Sequence, residues 1–254
     1  MNENRDLYAT LLGIQSPWFV TAVDVRAKDE EVVVTIQARP DTQHTCPTCG
    51  AACPGYDSRP RQWRHLDTCQ FKTTLRADVP RVNCKEHGIL QIRTPWAEPG
   101  SGFTVLMEGL IIDWLRETSI LGVSRLMRLS WDQIDGVMQR AVRRGLARRQ
   151  LKAFERLGVD ETSAQKGHRY VTVVTDMASG NVLHVADDRK TESLDEFWAL
   201  LTPKQLAAVE VVAMDMCAAY IRSARRHVPN ADSKICFDRF HVAKILNEAV
   251  NAVR

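Results

Sequence analysis

Three groups of residues in this chain have the types and spacing to do chemistry. The first is Cys46-Pro47-Thr48-Cys49-Gly50 together with Cys84-Lys85-Glu86-His87-Gly88. Each supplies two soft ligands three positions apart on a turn that ends in glycine, a geometry that offers adjacent vertices of a tetrahedron to one ion. Three sulfurs and one nitrogen suit Zn2+ with every position filled, which makes the expected role structural. Cys53 and Cys69 are spare thiols, and Cys53 could compete with Cys49; an isolated thiol is otherwise a small buried hydrophobe. The second group is acidic. Asp160 follows Leu157-Gly158-Val159, and Asp215 follows the apolar run Val209 to Met214. Carboxylates at the ends of neighbouring strands are held rigidly and can share divalent metals, the arrangement used for phosphoryl transfer. Asp238, with His241 three positions on, has the same strand-end placement and is read either as a further metal or substrate contact or as the cap of the last helix.

The third group is basic. Thr118 to Asp132 reads as a short helix, a turn and a second helix that starts at Ser130, an N-cap with Gln133 placed for a capping box. The apolar stripe of that second helix is Ile134, Val137, Met138, Ala141 and Val142, and Arg140, Arg143, Arg144, Arg148 and Arg149 occupy its other face and continuation. With Arg125 and Arg128 on the preceding helix and Gln133 on the first turn, these are the expected DNA-binding residues. Exposed N-terminal side chains of such a helix meet base edges in the major groove while arginines hold phosphates. A solvated basic helix in a bundle would carry the same pattern.

The elements that must position these groups fall into four segments. Residues 1–38 end in the β-branched strand Glu31 to Ala38. Residues 39–103 are rich in Cys, Pro, Gly and Arg, with short strand-like pieces at Phe71–Val79 and Ile89–Ile92. This segment shows almost no core-forming run, so a metal is expected to hold it together. Residues 104–156 take up a helical period, with Met107, Leu110, Ile111, Trp114 and Leu115 on one face, and make three helices. Residues 157–254 alternate: strands at Tyr170–Thr175 and Val182–Val185, a helix at Ser193–Leu201, a strand at Val209–Met214, a helix at Ala218–Arg226, a strand at Ile235–Phe237 and a final helix. That order predicts a mixed α/β sheet. Glu161, Lys166, His168 and Arg169, beside the first strand, are read either as DNA contacts or as a surface hairpin.

Composition narrows the classes. The chain has 254 residues, 44% of them hydrophobic and 26% charged, with a net charge of +3. Disorder, collagen and fibres are excluded. No apolar run approaches the roughly 18–20 residues that cross a bilayer, and the polar, acidic start is unlike a secretion signal, so an intracellular protein is expected. Seven cysteines, with Cys217 and Cys236 isolated in apolar runs, fit a disulfide framework poorly. The charge is partitioned. Residues 39–103 carry 9 basic and 6 acidic groups and residues 104–156 carry 10 and 6, whereas the flanking segments are net acidic. An anionic polymer is expected to meet the protein in the middle.

Taken in order, the motifs resemble the transposases of a bacterial insertion-sequence family, the third of the ISL type. The matching text is Cys46 to Gly50, Trp63-Arg64-His65-Leu66-Asp67, the helix pair from Thr118 to Trp131, Arg143-Arg144-Gly145-Leu146, Gly158-Val159-Asp160-Glu161, Lys166 to Val174, Ala213-Met214-Asp215-Met216 and Phe237-Asp238-Arg239-Phe240-His241-Val242. The resemblance covers nearly the whole chain. It implies a multidomain α+β protein: a small zinc-binding domain, a three-helix helix-turn-helix domain and an incomplete ribonuclease-H-like mixed α/β domain with an Asp-Asp-Glu triad. Asp160 and Asp215 would be the first two acids and would hold Mg2+ or Mn2+. The implied partners are double-stranded DNA, as terminal inverted repeats and as target, and further copies of the chain on DNA, with no membrane. The implied location is the bacterial cytoplasm, at the nucleoid when DNA is bound. Two departures are visible. His87 stands where the family commonly has a fourth Cys, and the chain stops in the helix that begins at Arg239, so no residue corresponds to the third acid. The expectation is the N-terminal part of a transposase, as a truncated or frameshifted copy or a fragment, with little or no strand transfer of its own and with apolar surface exposed at an unfinished sheet. Two other readings compete: a DNA-binding repressor of transposition, and a zinc-containing nuclease that uses Asp160, Asp215 and Asp238.

Overall fold

In a computed structural model of the chain, residues 3–165 and 169–253 are described, and they form two units, Met1–Arg148 and Arg149–Arg254. The first unit begins with helix α1 (Glu3–Leu11) and strands β1 (Trp18–Arg26) and β2 (Glu31–Ala38). The short strands β3 (His44–Thr45) and β4 (Ala52–Cys53) pair only with each other. Strands β5 (Gly55–Arg64), β6 (Lys72–Cys84) and β7 (Gly88–Gln91) complete a five-stranded sheet in the order β1-β2-β6-β5, with β7 on β6. Residues 3–38 are therefore not separate from the cysteine-bearing segment: β2 runs parallel to β6 along Glu31↔Lys72 to Ile36↔Ala77.

This pairing corrects the expectation of a segment without a core. Val32, Val34 and Ile36 alternate onto one face of β2, where they meet Trp63, Leu75, Ala77 and Val79 from β5 and β6. Trp96 closes the cluster edge-on, with ring centroids 4.9 Å from Trp18 and 5.4 Å from Trp63. Half of this core comes from before the cysteines, so a window on residues 39–103 could not show it. Pro60 is tolerated because β5 is the edge strand.

Backbone bonds tie the sheet to the helices. Arg64 N–H donates to Gly102 O and Thr104 N–H to Arg64 O, at 2.8 and 3.0 Å. Helices α2 (Val105–Glu117), α3 (Ile120–Met127) and α4 (Trp131–Arg148) then close around Phe103, Met107, Ile111, Val123, Ile134 and Val137. Each helix start has the expected physical cause. The Thr104 hydroxyl accepts from Met107 N–H, and that of Ser119 from Gly122 N–H. Ser130 and Gln133 exchange backbone-to-side-chain bonds of 2.9 and 3.2 Å, the capping box read from the sequence.

His65 joins the sheet to the first of these caps: its Nδ1 lies 2.8 Å from the Thr104 hydroxyl, and only 8% of the residue is exposed. Burial, assisted by the neighbouring Arg64 charge, pushes its pKa from 6.5 down to about 4. The folded state thus refuses a proton that the unfolded chain accepts. Its contribution is whole above about pH 6.5 and is lost as pH falls towards 4, an effect of at most about 3 kcal/mol. Urea melts at pH 7 and pH 4.5 should show a smaller pH dependence for His65→Gln than for the parent.

The second unit holds strands β8 (Arg156–Gln165), β9 (Arg169–Asp176) and β10 (Val182–Asp187), then helices α5 (Thr191–Trp198) and α6 (Pro203–Ala208), strand β11 (Val211–Met214), helix α7 (Ala218–His227), strand β12 (Ile235–Phe237) and helix α8 (Arg239–Val253). The order is β10-β9-β8-β11-β12, the first three antiparallel and β8, β11 and β12 parallel. Three meandering strands followed by two that return through helices form the ribonuclease-H arrangement. One sheet face is buried under α5 and α7 by Leu157, Val159, Val174, Phe197, Trp198, Val212, Met214 and Tyr220. Leu151 and Phe154 pack against this core, so the chain joins the second unit soon after α4 ends. On α8, Phe240, Leu246 and Val250 are exposed. Helix α6, which the sequence reading passed over as it did α1, β1 and β5, carries a legible signal: Thr202 and Gln205 form a capping box, with Pro203 at the first helical position.

Candidate metal and nucleic-acid sites

The sheet delivers the two ligand pairs to one place. Cys84 ends β6, and the turn into β7 returns His87 beside it; Cys46 and Cys49 sit on the turn between β3 and β4. All four ligand atoms lie within 4.8 Å of one another, the only such cluster of three or more among the described residues. Cys49 Sγ is 3.8 Å from Cys84 Sγ, and His87 Nδ1 is 3.8 Å from Cys46 Sγ and 3.6 Å from Cys84 Sγ. A tetrahedron with Zn–S bonds of about 2.3 Å has edges of about 3.8 Å, so the four donors fit Zn2+. Backbone N–H groups prepare the thiolates. Those of His87 and Glu86 bring Cys84 down to about 7, and those of Cys49 and Thr48 lower Cys46. Cys53 instead donates to Ala51 O, and Cys69 is an exposed thiol outside the cluster.

The acids are ordered by strand register. The last paired row joins Val159 to Met214 and Met214 to Phe237, so Asp160, Asp215 and Asp238 occupy the next row across β8, β11 and β12. Neighbouring strands lie about 4.8 Å apart. Asp160 does not end its strand, as the sequence suggested: β8 continues to Gln165 and outruns β11. Alternation turns Leu157 and Val159 into the core and leaves Asp160 exposed, while Asp215 is half-buried. One oxygen of each is fixed, by Glu161 N–H on Asp160 and Cys217 N–H on Asp215, both at 2.8 Å. The second oxygen of each has no hydrogen bond among the described residues. Two hard oxygen donors of this kind suit Mg2+ or Mn2+. Asp238 differs. It accepts from Phe240 N–H at 3.0 Å and lies 3.0 Å from His241, which together hold its carboxyl below the usual range. It therefore caps α8, with Asp238 Oδ2 and His241 paired. Glu161 pairs with Arg189 at 3.3 Å. Lys166 and His168 lie outside the described residues, and Arg169 is placed by its backbone at the start of β9.

The basic residues of the helix pair divide in two. Arg125, Arg128, Arg143 and Arg148 are exposed and without a side-chain partner among the described residues, and Gln133 is exposed but engaged in the cap of α4. Arg140 and Arg144 turn inward to Glu108, which is only 2% exposed. Arg140 Nε and Nη2 donate to Glu108 Oε1 at 2.9 and 2.6 Å, Arg144 Nη1 donates to Oε2 at 3.3 Å, and Ser101 Oγ adds 2.7 Å. Sequence periodicity put Glu108 on no particular face, and its burial between α2 and α4 went unread. Arg149 belongs to the second unit, where it donates to Val182 O at 3.4 Å.

A chain that carries a thiolate cluster, a capped helix pair with free arginines and a carboxylate-edged ribonuclease-H sheet has the parts of a DNA-processing protein. Comparison with known families agrees segment by segment. Residues 42–87 match the zinc finger of transposases of the IS204/IS1001/IS1096/IS1165 group, residues 92–142 the helix-turn-helix domain of transposase family ISL3, and residues 157–254 the transposase domain of the same family. These matches together take in well over half of the chain, which belongs to the ISL3 family of insertion-sequence transposases. Among curated proteins it is similar to the transposase for insertion sequence element IS1557 of Mycobacterium tuberculosis, at 29% identity over 99% of this chain and 58% of that protein. It is also similar to the transposase for insertion sequence element IS1001 of Bordetella parapertussis, at 28% identity over 82% of this chain and 52% of that protein. The chain thus spans little more than half the length of these relatives. No helix among the described residues is long and apolar enough to cross a membrane.

Proposed function

We propose that this chain carries the end-recognition part and the first two metal-binding acids of a DNA transposition enzyme. The reading rests most on one observation: Asp160 and Asp215 follow the last paired row of the parallel strands, each with one oxygen pinned by a backbone N–H and the other without a hydrogen bond among the described residues. Mg2+ or Mn2+ bound there would supply the activation of an attacking oxygen and the stabilisation of a leaving one during phosphodiester cleavage and strand transfer. The work of the chain's own carboxylates is to hold position, which the sheet provides, Asp160 lying within β8 and Asp215 directly after β11, each with one oxygen held by a backbone N–H. Duplex DNA would be held by α3 and α4, with the N-terminal turn of α4 at the bases of the terminal inverted repeats and Arg125, Arg128, Arg143 and Arg148 on phosphates. Arg140 and Arg144 would orient α4 through Glu108 and reach phosphates only with what that pairing leaves over. Transposition joins two element ends to a target, so further copies of the chain on DNA, in the bacterial cytoplasm, belong to the same proposal.

The test is a gel shift of the zinc-loaded chain on a terminal-repeat duplex and on scrambled DNA, followed by Mg2+ or Mn2+ and a nicking assay, with Mn2+ titration alongside. Preference for the repeat is expected. Asp160→Asn or Asp215→Asn should weaken Mn2+ binding at least tenfold, since loss of even an outer partner of a metal site costs 10–100-fold. Repeat binding with no Mn2+ binding at this row would identify a DNA-binding regulator and remove the nuclease part of the proposal.

A further inference from the structure

The open face of the N-terminal sheet has no role in the function proposed above, and its chemistry is polar and basic. On β6, Lys72 and Arg76 project from the face opposite the tryptophan core, and Arg76 pairs across the strands with Gln62 and Thr35. Both cations are exposed and have no ion pair or side-chain hydrogen bond among the described residues. The face runs into a groove of about 750 Å3 whose other wall is the N-terminal half of α4 with Arg128. A second hollow of about 460 Å3 continues along the sheet, and Gln62 and Arg76 line both.

Two features of the helical wall point to a ligand lying in this groove. Arg128 caps α3 in the left-handed conformation, φ 53°, ψ 45°, where glycine is the unstrained choice. A side chain costs about 1 kcal/mol there, and such strain is retained where the side chain has work to do. Gly136 lies inside α4, where glycine costs about 1 kcal/mol relative to alanine. A Cβ at this position would meet only Arg140 Nη1, at 3.6 Å, so internal packing does not demand glycine. Its effect is to leave the α4 backbone bare toward the groove. The acids of this face are Glu31, held by Arg26 and Thr74 at 3.3 and 3.2 Å, Asp24, held by Arg26 at 2.7 Å, and Asp78, exposed two residues beyond Arg76 at the far hollow, while Asp132 stands at the positive end of α4.

We propose that this sheet face is a second DNA contact, in which Lys72 and Arg76, with Arg128 at the mouth of the groove, take backbone phosphates of the duplex whose major groove α4 enters. Lys72 and Arg76 are four residues apart on one strand, about 13 Å, far enough for each to take a separate phosphate of one DNA strand. The contact is to phosphate and reads no sequence. It rests on the helix-turn-helix reading above.

The experiment is the salt dependence of duplex binding by the full zinc-loaded chain, on terminal-repeat and scrambled probes. For Lys72→Gln with Arg76→Gln, the slope of log K against log salt should flatten by about 1.8, and affinity at 0.1 M salt should fall by tens of fold, equally on both probes. Lys72→Arg with Arg76→Lys should keep the parent slope, and a thermal melt checks that both pairs fold. An unchanged slope in the Gln pair, or a loss confined to the repeat, overturns the phosphate contact. Arg125→Gln with Arg143→Gln is the separate control. If that pair leaves binding intact while the sheet pair weakens it, the helix-turn-helix reading fails and the sheet contact stands alone.

Discussion

Removal of zinc, by chelation or by Cys84→Ser, should melt residues 44–54 and the β6–β7 turn while the sheet beneath them stays folded. The knuckle has little of its own to hold it. β3 and β4 are two residues each, the turn closes on bonds of 2.8 Å from Cys46 N–H to Ala51 O and 2.9 Å from Gly50 N–H to Cys46 O, and its buried side chain is Cys46 itself. A pair of strands so short is not stable without the ion. Binding energies of about 10–16 kcal/mol for zinc in comparable peptide sites are folding energies there, and no other interaction in residues 44–54 approaches them. The cluster of Trp18, Trp63 and Trp96 lies on β1, β5 and the segment before α2, and none of its contacts passes through the metal. One equivalent of zinc per chain should be released. Amide exchange in the knuckle should rise to near-unprotected rates, with tryptophan emission and the exchange of β2 and the first half of β6 unchanged. Loss of protection across β2 would show that the metal, and not the tryptophan core, carries the sheet.

Glu108→Ala should destabilise the first unit by about 3–5 kcal/mol, the usual cost of leaving a buried ion pair without one partner. At roughly 2–4 °C per kcal/mol for a unit of this size, the melting temperature should drop by on the order of 10 °C. The carboxylate is the one group to which Arg140, Arg144 and Ser101 all converge, and it fastens α4 to α2. Without it two guanidiniums face a vacated cavity. Adding Arg140→Ala to Glu108→Ala should recover part of the loss, because one stranded charge is removed with it. The pairing also separates two kinds of arginine. Arg140→Gln should cost stability as well as DNA affinity, whereas Arg143→Gln should cost affinity alone. Equal melting temperatures for Glu108→Ala and the parent would mean that the pair is solvated and that α4 is oriented by its apolar stripe.

Much of this protein was determined by the sequence alone, wherever the cause is local. The Ser130–Gln133 capping box, the helix pair and the strand and helix order after Leu157 depend on residues within a turn or two of each other. The zinc ligands were legible for the same reason: spacing of three on a glycine-ended turn is a local property, even though bringing the pairs together is not. What only the tertiary structure decided is long-range. The core of the first unit needs β2 beside β6, a parallel pairing that no hairpin signal announces. The shared row of Asp160, Asp215 and Asp238 depends on the register of three strands separated by helices, and β8 runs past the end that its apolar stretch suggested. Charge patterning placed Arg140 and Arg144 with the other arginines of α4. Only the fold shows that Glu108, more than 30 positions away, takes them inward, because a buried carboxylate must find its countercharges wherever the packing puts them.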